Sequence, residues 1–307
     1  MRQLLEMFAA LADPSRLKIL SLLREIELSM GELAMVLGQS QPRISRHVKI
    51  LADSGLLLRK KEGAFAFVSP AADRRATSIF RLLDEIGGDD DLLALERPRL
   101  EAVRQARQAA LDRWFADHAG EWDHLRGLEA PEAQVEAAIL ALAGHGPLGA
   151  LLDLGTGTGR MLELLGPMTS HASGLDRSPE MLRVARMKLD AAGLHGVDIR
   201  LGDLLSLPWP DNRFDTIVIH QVLHFLDRPE LAIREAARVL APGGQLIIVD
   251  HGAHELEELR ESFRHVRLGF AGDAIRDMLS AAGLDCVSIE SLSGPRLPVL
   301  LWKGVKP

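Results

Sequence analysis

Three glycines in five residues, Gly155-Thr156-Gly157-Thr158-Gly159, stand directly after the apolar run 150–154. That pattern predicts a tight strand-to-helix turn, where glycine tolerates left-handed dihedrals and lets a ligand approach the backbone. The next apolar run ends at Asp176, an acid placed to accept both hydroxyls of a ribose. Ser178-Pro179 then reads as a helix cap with a first-turn proline. Short apolar runs at 150–154, 172–176, 198–201, 215–220, 245–251, 285–291 and 298–303 alternate with amphipathic segments. The expected architecture is α/β, a mostly parallel Rossmann-like sheet with helices on both faces.

The first third of the chain has a different grammar. Asp13-Pro14 is an N-cap followed by proline, and Leu17, Leu20 and Leu23 keep helical spacing. Ser29 with Glu32 forms a capping box that opens a second short helix, which Gly38 ends. Ser40 caps a third helix reaching about Asp53, and Gly55 stops it. Residues 56–68 then read strand, turn and strand, with Glu62-Gly63 at the turn. This order predicts a winged helix-turn-helix over 1–86. The glycines and acids of 87–91 mark a solvated break. A linker and helical cap over 87–130, with Pro131 dividing the helical stretch, would lead into a second domain over 131–307.

In the third helix Ile44, Val48 and Leu51 share one face and are expected to pack inward. Pro42, Ser45, Arg46, Lys49 and Asp53 then point away, with Arg43 and His47 at the flanks. A recognition helix needs such a polar face to reach phosphates and base edges. The DNA-contact candidates are Ser40, Gln41, Arg43, Ser45, Arg46, His47 and Lys49, joined by Arg59, Lys60 and Lys61 on the hairpin.

A net charge of −7 argues against a nucleic-acid partner only if it is evenly spread. It is not. Residues 1–70 hold ten Lys and Arg against seven Asp and Glu, so a +3 head precedes a −10 body. With no tyrosine, only Phe and Trp supply rings, which speaks against a stacking surface for single strands; double-stranded DNA is the partner that a recognition helix reads. Cys286 is the one cysteine, so neither a disulfide nor a Cys-based metal site is expected. No metal ligand set is expected elsewhere. The apolar stretch 137–143 is far too short to span a bilayer, and residues 1–16 lack the h-region of a signal peptide. A cytoplasmic chain without a membrane partner is the expectation.

Residues 5–70 resemble the ArsR/SmtB winged-helix repressors through LADPSRLKILSLL and ELAMVLGQSQPRISRHVKILADSGLLLRKKEG. The resemblance implies a homodimer that reads two half-sites of an operator. The family's metal-sensing ELCxC motif is replaced by Glu27-Leu28-Ser29-Met30-Gly31, and 72–85 holds no His. Metal sensing in this domain is therefore not expected, and any sensor lies elsewhere in the chain.

Residues 110–303 resemble class I S-adenosylmethionine-dependent methyltransferases of the UbiE-like branch. The motifs are DLGTGTG (153–159), LDRSPEML (175–182), GDLLSLPWPDNRFD (202–215), HQVLHFLDRP (220–229) and ARVLAPGGQLIIVD (237–250). WFADHAGEWDHLR (114–126) is similar to the N-terminal cap of such enzymes. The resemblance implies S-adenosylmethionine or S-adenosylhomocysteine as cofactor. Gly155, Thr156, Gly157 and Gly159 would line it and Asp153 would hold the amino group. Asp176, with Arg177 beside it, would bind the ribose diol. Asp203 and Leu204 would flank the adenine, and His220 or Gln221 would lie near the methyl group. If the acceptor must lose a proton, His220, His224, His251 and His254 are the candidate bases. Arsenite as acceptor would need several thiols, so a different small molecule is expected. Two readings stay open: a regulator whose second domain senses the cofactor, and a working methyltransferase that regulates its own operon.

Overall fold

A computed structural model describes residues 2–62, 65–71, 74–86, 92–123, 132–144, 146–294 and 296–307. The acidic break 87–91, Gly63 of the hairpin turn, the end of the cap stretch at 124–126 and Pro131 lie outside the described residues. The chain forms two compact units, Met1–Ala109 and Ala110–Pro307. Among the described residues, no helix is long and apolar enough to cross a membrane.

The first unit runs α1 (Arg2–Leu11), α2 (Pro14–Glu25), β1 (Leu28–Ser29), α3 (Met30–Leu37), α4 (Gln41–Asp53), β2 (Leu57–Glu62), β3 (Phe65–Pro70), α5 (Arg74–Ile86) and the start of α6 (Arg97–His118). Local chemistry sets its boundaries. The Asp13 carboxylate accepts from the Arg16 amide, and Pro14 opens α2. Ser29 and Glu32 close a reciprocal capping box at α3. Gly38 leaves α3 at φ 62°, a left-handed turn that suits glycine. Ser40 occupies the N-cap of α4, but its hydroxyl makes no capping bond. The wing has one strand more than the sequence shows, because β1 pairs antiparallel with β3 and β3 with β2. Two residues are too few for the period-2 alternation by which a strand is recognised.

The first turns of α6 belong to this core. Leu93, Leu100 and Val103 are buried with Ile19, Leu33, Ile44, Val48 and Leu51. Arg107 on α6 forks onto both oxygens of Glu32 at 2.8 and 2.7 Å, and also donates to the Glu27 carbonyl. The capping glutamate of α3 is thus also the anchor of α6.

The second unit takes the remainder of α6, then α7 (Glu132–Ala143), β4 (Ala150–Leu154), α8 (Arg160–Leu165), β5 (His171–Asp176), α9 (Pro179–Ala191), β6 (Asp198–Leu201) and β7 (Phe214–His220). It continues with α10 (Pro229–Val239), β8 (Leu240–His251), α11 (Glu258–Ser262), α12 (Gly272–Ala281), β9 (Asp285–Ser293) and β10 (Pro298–Val305). The seven strands lie in the order β6-β5-β4-β7-β8-β10-β9. Neighbours from β6 to β8 are parallel, while β10 runs antiparallel to both β8 and β9. Apolar residues of β4, β7 and β8 are buried on both faces, as a sheet covered by helices requires. The chain leaves β4 toward β5 and β6, then returns to the other side of β4 as β7. The carboxyl ends of β4 and β7 therefore flank the point where the strand order reverses, which is where open α/β sheets bind ligands.

The Glu32–Arg107 fork yields a pH prediction. Burial pushes the Glu32 carboxyl up, but the Arg107 hydrogen bonds and charge, with the Ser29 amide, outweigh it and hold it below its ordinary 4.5. A depressed carboxylate stabilises the fold above the unfolded-state value and loses that contribution as pH falls below it. Glu32→Gln keeps one acceptor oxygen for the cap and removes the charge together with the second acceptor of the Arg107 fork. It should lower the stability of the first unit by about 1–2 kcal/mol at pH 7, read by amide exchange in α3. The gap to the native protein should close as pH drops below 4.5; a gap independent of pH contradicts the assignment.

Candidate functional site

The turn after β4 is built from backbone constraints. Gly155, Gly157 and Gly159 take φ of 75°, 52° and 87°. A side chain at Gly155 would also place its Cβ 2.5 Å from Val222 Cγ2, so the turn presses directly against the chain leaving β7. At Gly159 a Cβ would lie 3.2 Å from Ala185 of α9, which marks close helix packing. The buried Asp153 accepts from the Thr156 hydroxyl at 2.6 Å and fixes the turn from below.

Asp176, at the end of β5, is brought to this turn. One carboxylate oxygen accepts from the Gly157 amide at 2.9 Å, and the other from the Ser178 amide at 2.9 Å. Burial pushes the carboxyl above its ordinary value, against the pull of those amides and of Arg177. Arg177 itself reaches Asp112 of α6 at 3.1 Å and Asp203 at 3.9 Å. Asp203 is exposed and accepts from the Leu205 amide, while Leu204 beside it is buried. His220 ends β7, and Gln221 follows at φ 54° and 5% exposure. A buried non-glycine residue in that region is a strained feature of the kind that clusters at functional sites. All the expected cofactor residues therefore fall on the carboxyl edge of β4, β5, β7 or the loop after β6.

The end of α6 and the residues after it lie over the turn. The Thr158 hydroxyl donates to Asp123 at 2.6 Å, and Lys188 of α9 pairs with the same carboxylate. Trp122 Nε1 stands 3.7 Å from where a Gly157 side chain would begin. Phe115 meets Trp122 edge-on at 5.3 Å and Phe225 at 4.9 Å, and Trp114 meets Phe263 at 6.3 Å. Phe225 is buried and the other rings half-buried, and they continue toward the end of β8.

There, four candidate bases divide. His224 and His251 are buried, whereas His220 and His254 are partly exposed. His224 Nδ1 bonds Asp250 Oδ1 at 2.7 Å, and the same oxygen accepts from the His251 amide. Burial pushes the Asp250 carboxyl up, but the charge and hydrogen bond of His224, with His251 beside it, hold it below the ordinary range. His254 Nδ1 accepts from the Leu256 amide at 3.2 Å, ahead of a helix whose N-cap is Glu257. Two members of this group carry no signal in the sequence. Asp250 reads as part of the apolar run 245–251, and His265 lies in an irregular loop. His265 is buried and stands 4.2 Å from His224 and 5.5 Å from His251, ring centre to ring centre.

In the first unit, Gln41, Arg43, Arg46 and Lys49 are exposed on α4 and Ser45 is half-buried, while Ile44, Val48 and Leu51 face the core. Ser40 is exposed at the helix start. His47 departs from the expectation. It is 8% exposed, turned to Asp13 at 3.8 Å, and burial lowers its basicity, so it is a neutral interior group rather than a DNA contact. The i+3 spacing from Ile44 already places it at the edge of the inward stripe. Arg59, Lys60 and Lys61 stand on β2, paired with Val68, Phe67 and Ala66.

Comparison with known proteins agrees with this geometry. Residues 13–57 match the model of the bacterial regulatory proteins of the arsR family, and residues 152–248 match a methyltransferase domain. The chain joins an arsR-type helix-turn-helix to a methyltransferase domain. A demethylmenaquinone methyltransferase of Listeria welshimeri is 41% identical over 104 residues, covering 33% of this chain and 44% of the relative. A phosphatidylethanolamine N-methyltransferase of Cereibacter sphaeroides is 36% identical over 131 residues, covering 41% and 60%. The chain thus spans about half the length of the curated relatives it matches. A chain from the crystal complex of the Trm112 methyltransferase activator of Haloferax volcanii shares the fold, with a TM-score of 0.54, 23% identity and coverage of 63% and 97%.

Such a domain implies S-adenosylmethionine or S-adenosylhomocysteine as its ligand. The residues present fit it. At Gly157 no side chain shields the backbone, so a ligand can approach the turn closely, and the desolvated Asp176 suits a diol that donates two hydroxyls. Asp176→Ala should weaken S-adenosylhomocysteine binding at least tenfold in calorimetry, about 1.4 kcal/mol or more, with Trp209 and Trp302 fluorescence unchanged. Native affinity in a folded variant would overturn the ribose assignment.

Proposed function

We propose that the protein is a DNA-binding transcription regulator whose methyltransferase domain senses S-adenosylmethionine or S-adenosylhomocysteine. It acts as a cytoplasmic homodimer on a double-stranded operator. The observation that carries the reading is the glycine turn latched to Asp176 at 2.9 Å, in a chain that also presents Arg43, Arg46 and Lys49 on an outward helix face. Charge supports it, because a basic head on an acidic body leaves α4 and the wing as the surface attracted to phosphate. Asp153, Gly155, Thr156, Gly157, Gly159, Asp176, Arg177, Asp203, Leu204, His220 and Gln221 hold the cofactor. Ser40, Gln41, Arg43, Ser45, Arg46, Lys49 and the wing's Arg59, Lys60 and Lys61 meet DNA. Cofactor binding regulates only to the extent that the DNA-competent and incompetent states differ in cofactor affinity.

A second reading is favoured by the buried His224–Asp250 pair beside the rings of Phe115, Phe225 and Phe263. In that reading the domain transfers a methyl group to a small molecule. S-adenosylmethionine supplies a reactive sulfonium methyl, and the protein aligns the acceptor and takes its proton where one must leave.

An operator selected from a random duplex pool tests the proposal at one fixed salt concentration. Arg46→Ala and Lys49→Ala should each weaken operator binding several-fold and leave S-adenosylhomocysteine affinity unchanged. Asp176→Ala should bind the operator but lose any response to either cofactor form. Normal operator binding by both α4 variants, or an Asp176 variant that still responds, refutes the reading.

A further inference from the structure

We propose that His224, His251 and His265 form a binding site for one divalent transition-metal ion of the zinc class. One ligand nitrogen from each imidazole lies within 4.8 Å of the others, and all three side chains are buried. Tetrahedral coordination at 2.0–2.1 Å sets nitrogen–nitrogen separations of about 3.4 Å. Small side-chain rotations therefore close the set around an ion.

Three further features suit a metal. First, Asp250 bonds His224 Nδ1 at 2.7 Å, which fixes that ring's tautomer and leaves Nε2 as the ligand atom. A carboxylate behind a ligating imidazole is the usual outer partner of such sites. Second, the three rings are buried against one another, with centres 4.2, 4.9 and 5.5 Å apart, so their nitrogens converge on one interior point. Arg260 pairs with Glu257 at 3.1 Å and donates to the Val266 carbonyl, which offsets its charge. Third, the donor set is all nitrogen. Asp250 is committed to His224 and to the His251 amide, so oxygen-seeking Mg²⁺ and Ca²⁺ are poorly served, whereas Zn²⁺, Co²⁺ and Ni²⁺ suit imidazole. Three protein ligands leave a fourth position for water or an acceptor atom.

This revises the expectation that the chain holds no metal. The three residues come from the loop after β7, the end of β8 and an irregular loop after α11, so no sequence spacing announces them. The site uses none of the cofactor residues and does not depend on the sensing reading; with Nε2 on the ion, His224 would not itself act as the base in a transfer reaction.

The test uses the full chain, stripped by a chelator and loaded with Co²⁺ and then Zn²⁺. One equivalent of Co²⁺ should bind with the strong visible absorption of a four- or five-coordinate site, and Zn²⁺ should displace it. X-ray absorption of the zinc form should show three imidazole ligands. His251→Gln and His265→Gln should each abolish stoichiometric uptake. Asp250→Asn should weaken it about ten- to a hundredfold. Cys286→Ser should retain it. Failure of the native protein to take up a stoichiometric ion, or a zinc spectrum without histidine ligands, overturns the proposal. Because the native chain is read directly, a variant that fails to fold does not blunt the test.

Discussion

The second unit depends on one close approach. Where β4 hands over to the glycine turn, the backbone at Gly155 runs so near the chain leaving β7 that a methyl group would collide with Val222. That contact lies at the point where the strand order reverses. It brings the ends of β4 and β7 together, and the hydrogen bonds of Asp153 to Thr156 and of Asp176 to Gly157 then hold the turn open on its outer side. Glycine is required twice over here, for the left-handed φ and for the missing Cβ.

The carboxyl edge carries two polar layers of different character. Around Asp176 the partners are backbone amides, so the carboxylate is held by the main chain and remains suited to ligand hydroxyls. Around Asp250 a side chain, the His224 imidazole, joins the amides of His224 and His251, and the pair sits fully inside the protein beside His251 and His265. Buried polar groups persist when their hydrogen bonds are made, and they then specify one arrangement. The rings of Phe115, Trp122 and Phe225 join the two layers and give the edge an apolar wall.

Much of this was legible in the sequence because it rests on local rules. The capping box at Ser29, the left-handed Gly38 and Gly55, and the proline-led α2 and α9 follow from a few adjacent residues. The strands of the large sheet are apolar on both faces and so read as runs. What stayed hidden depends on distance along the chain. The strand at Leu28–Ser29 exists only because β3 pairs with it. His47 reads as a flank position, and its burial brings it 3.8 Å from Asp13, the N-cap residue of α2. The meeting of His265 with His224 and His251 is a tertiary fact, as is the fork of Arg107 onto a glutamate that sequence alone assigns to capping.

The proposed regulation joins cofactor binding in one unit to DNA binding in the other, and thermodynamic linkage makes such coupling two-sided. The most direct measurement is the S-adenosylmethionine and S-adenosylhomocysteine affinity of the full chain, by calorimetry at one salt concentration, free and saturated with operator. A regulator must show at least one cofactor form whose affinity changes more than twofold on DNA, by the same factor with which that form changes DNA affinity. Equal affinities for both forms, with and without operator, would contradict the account.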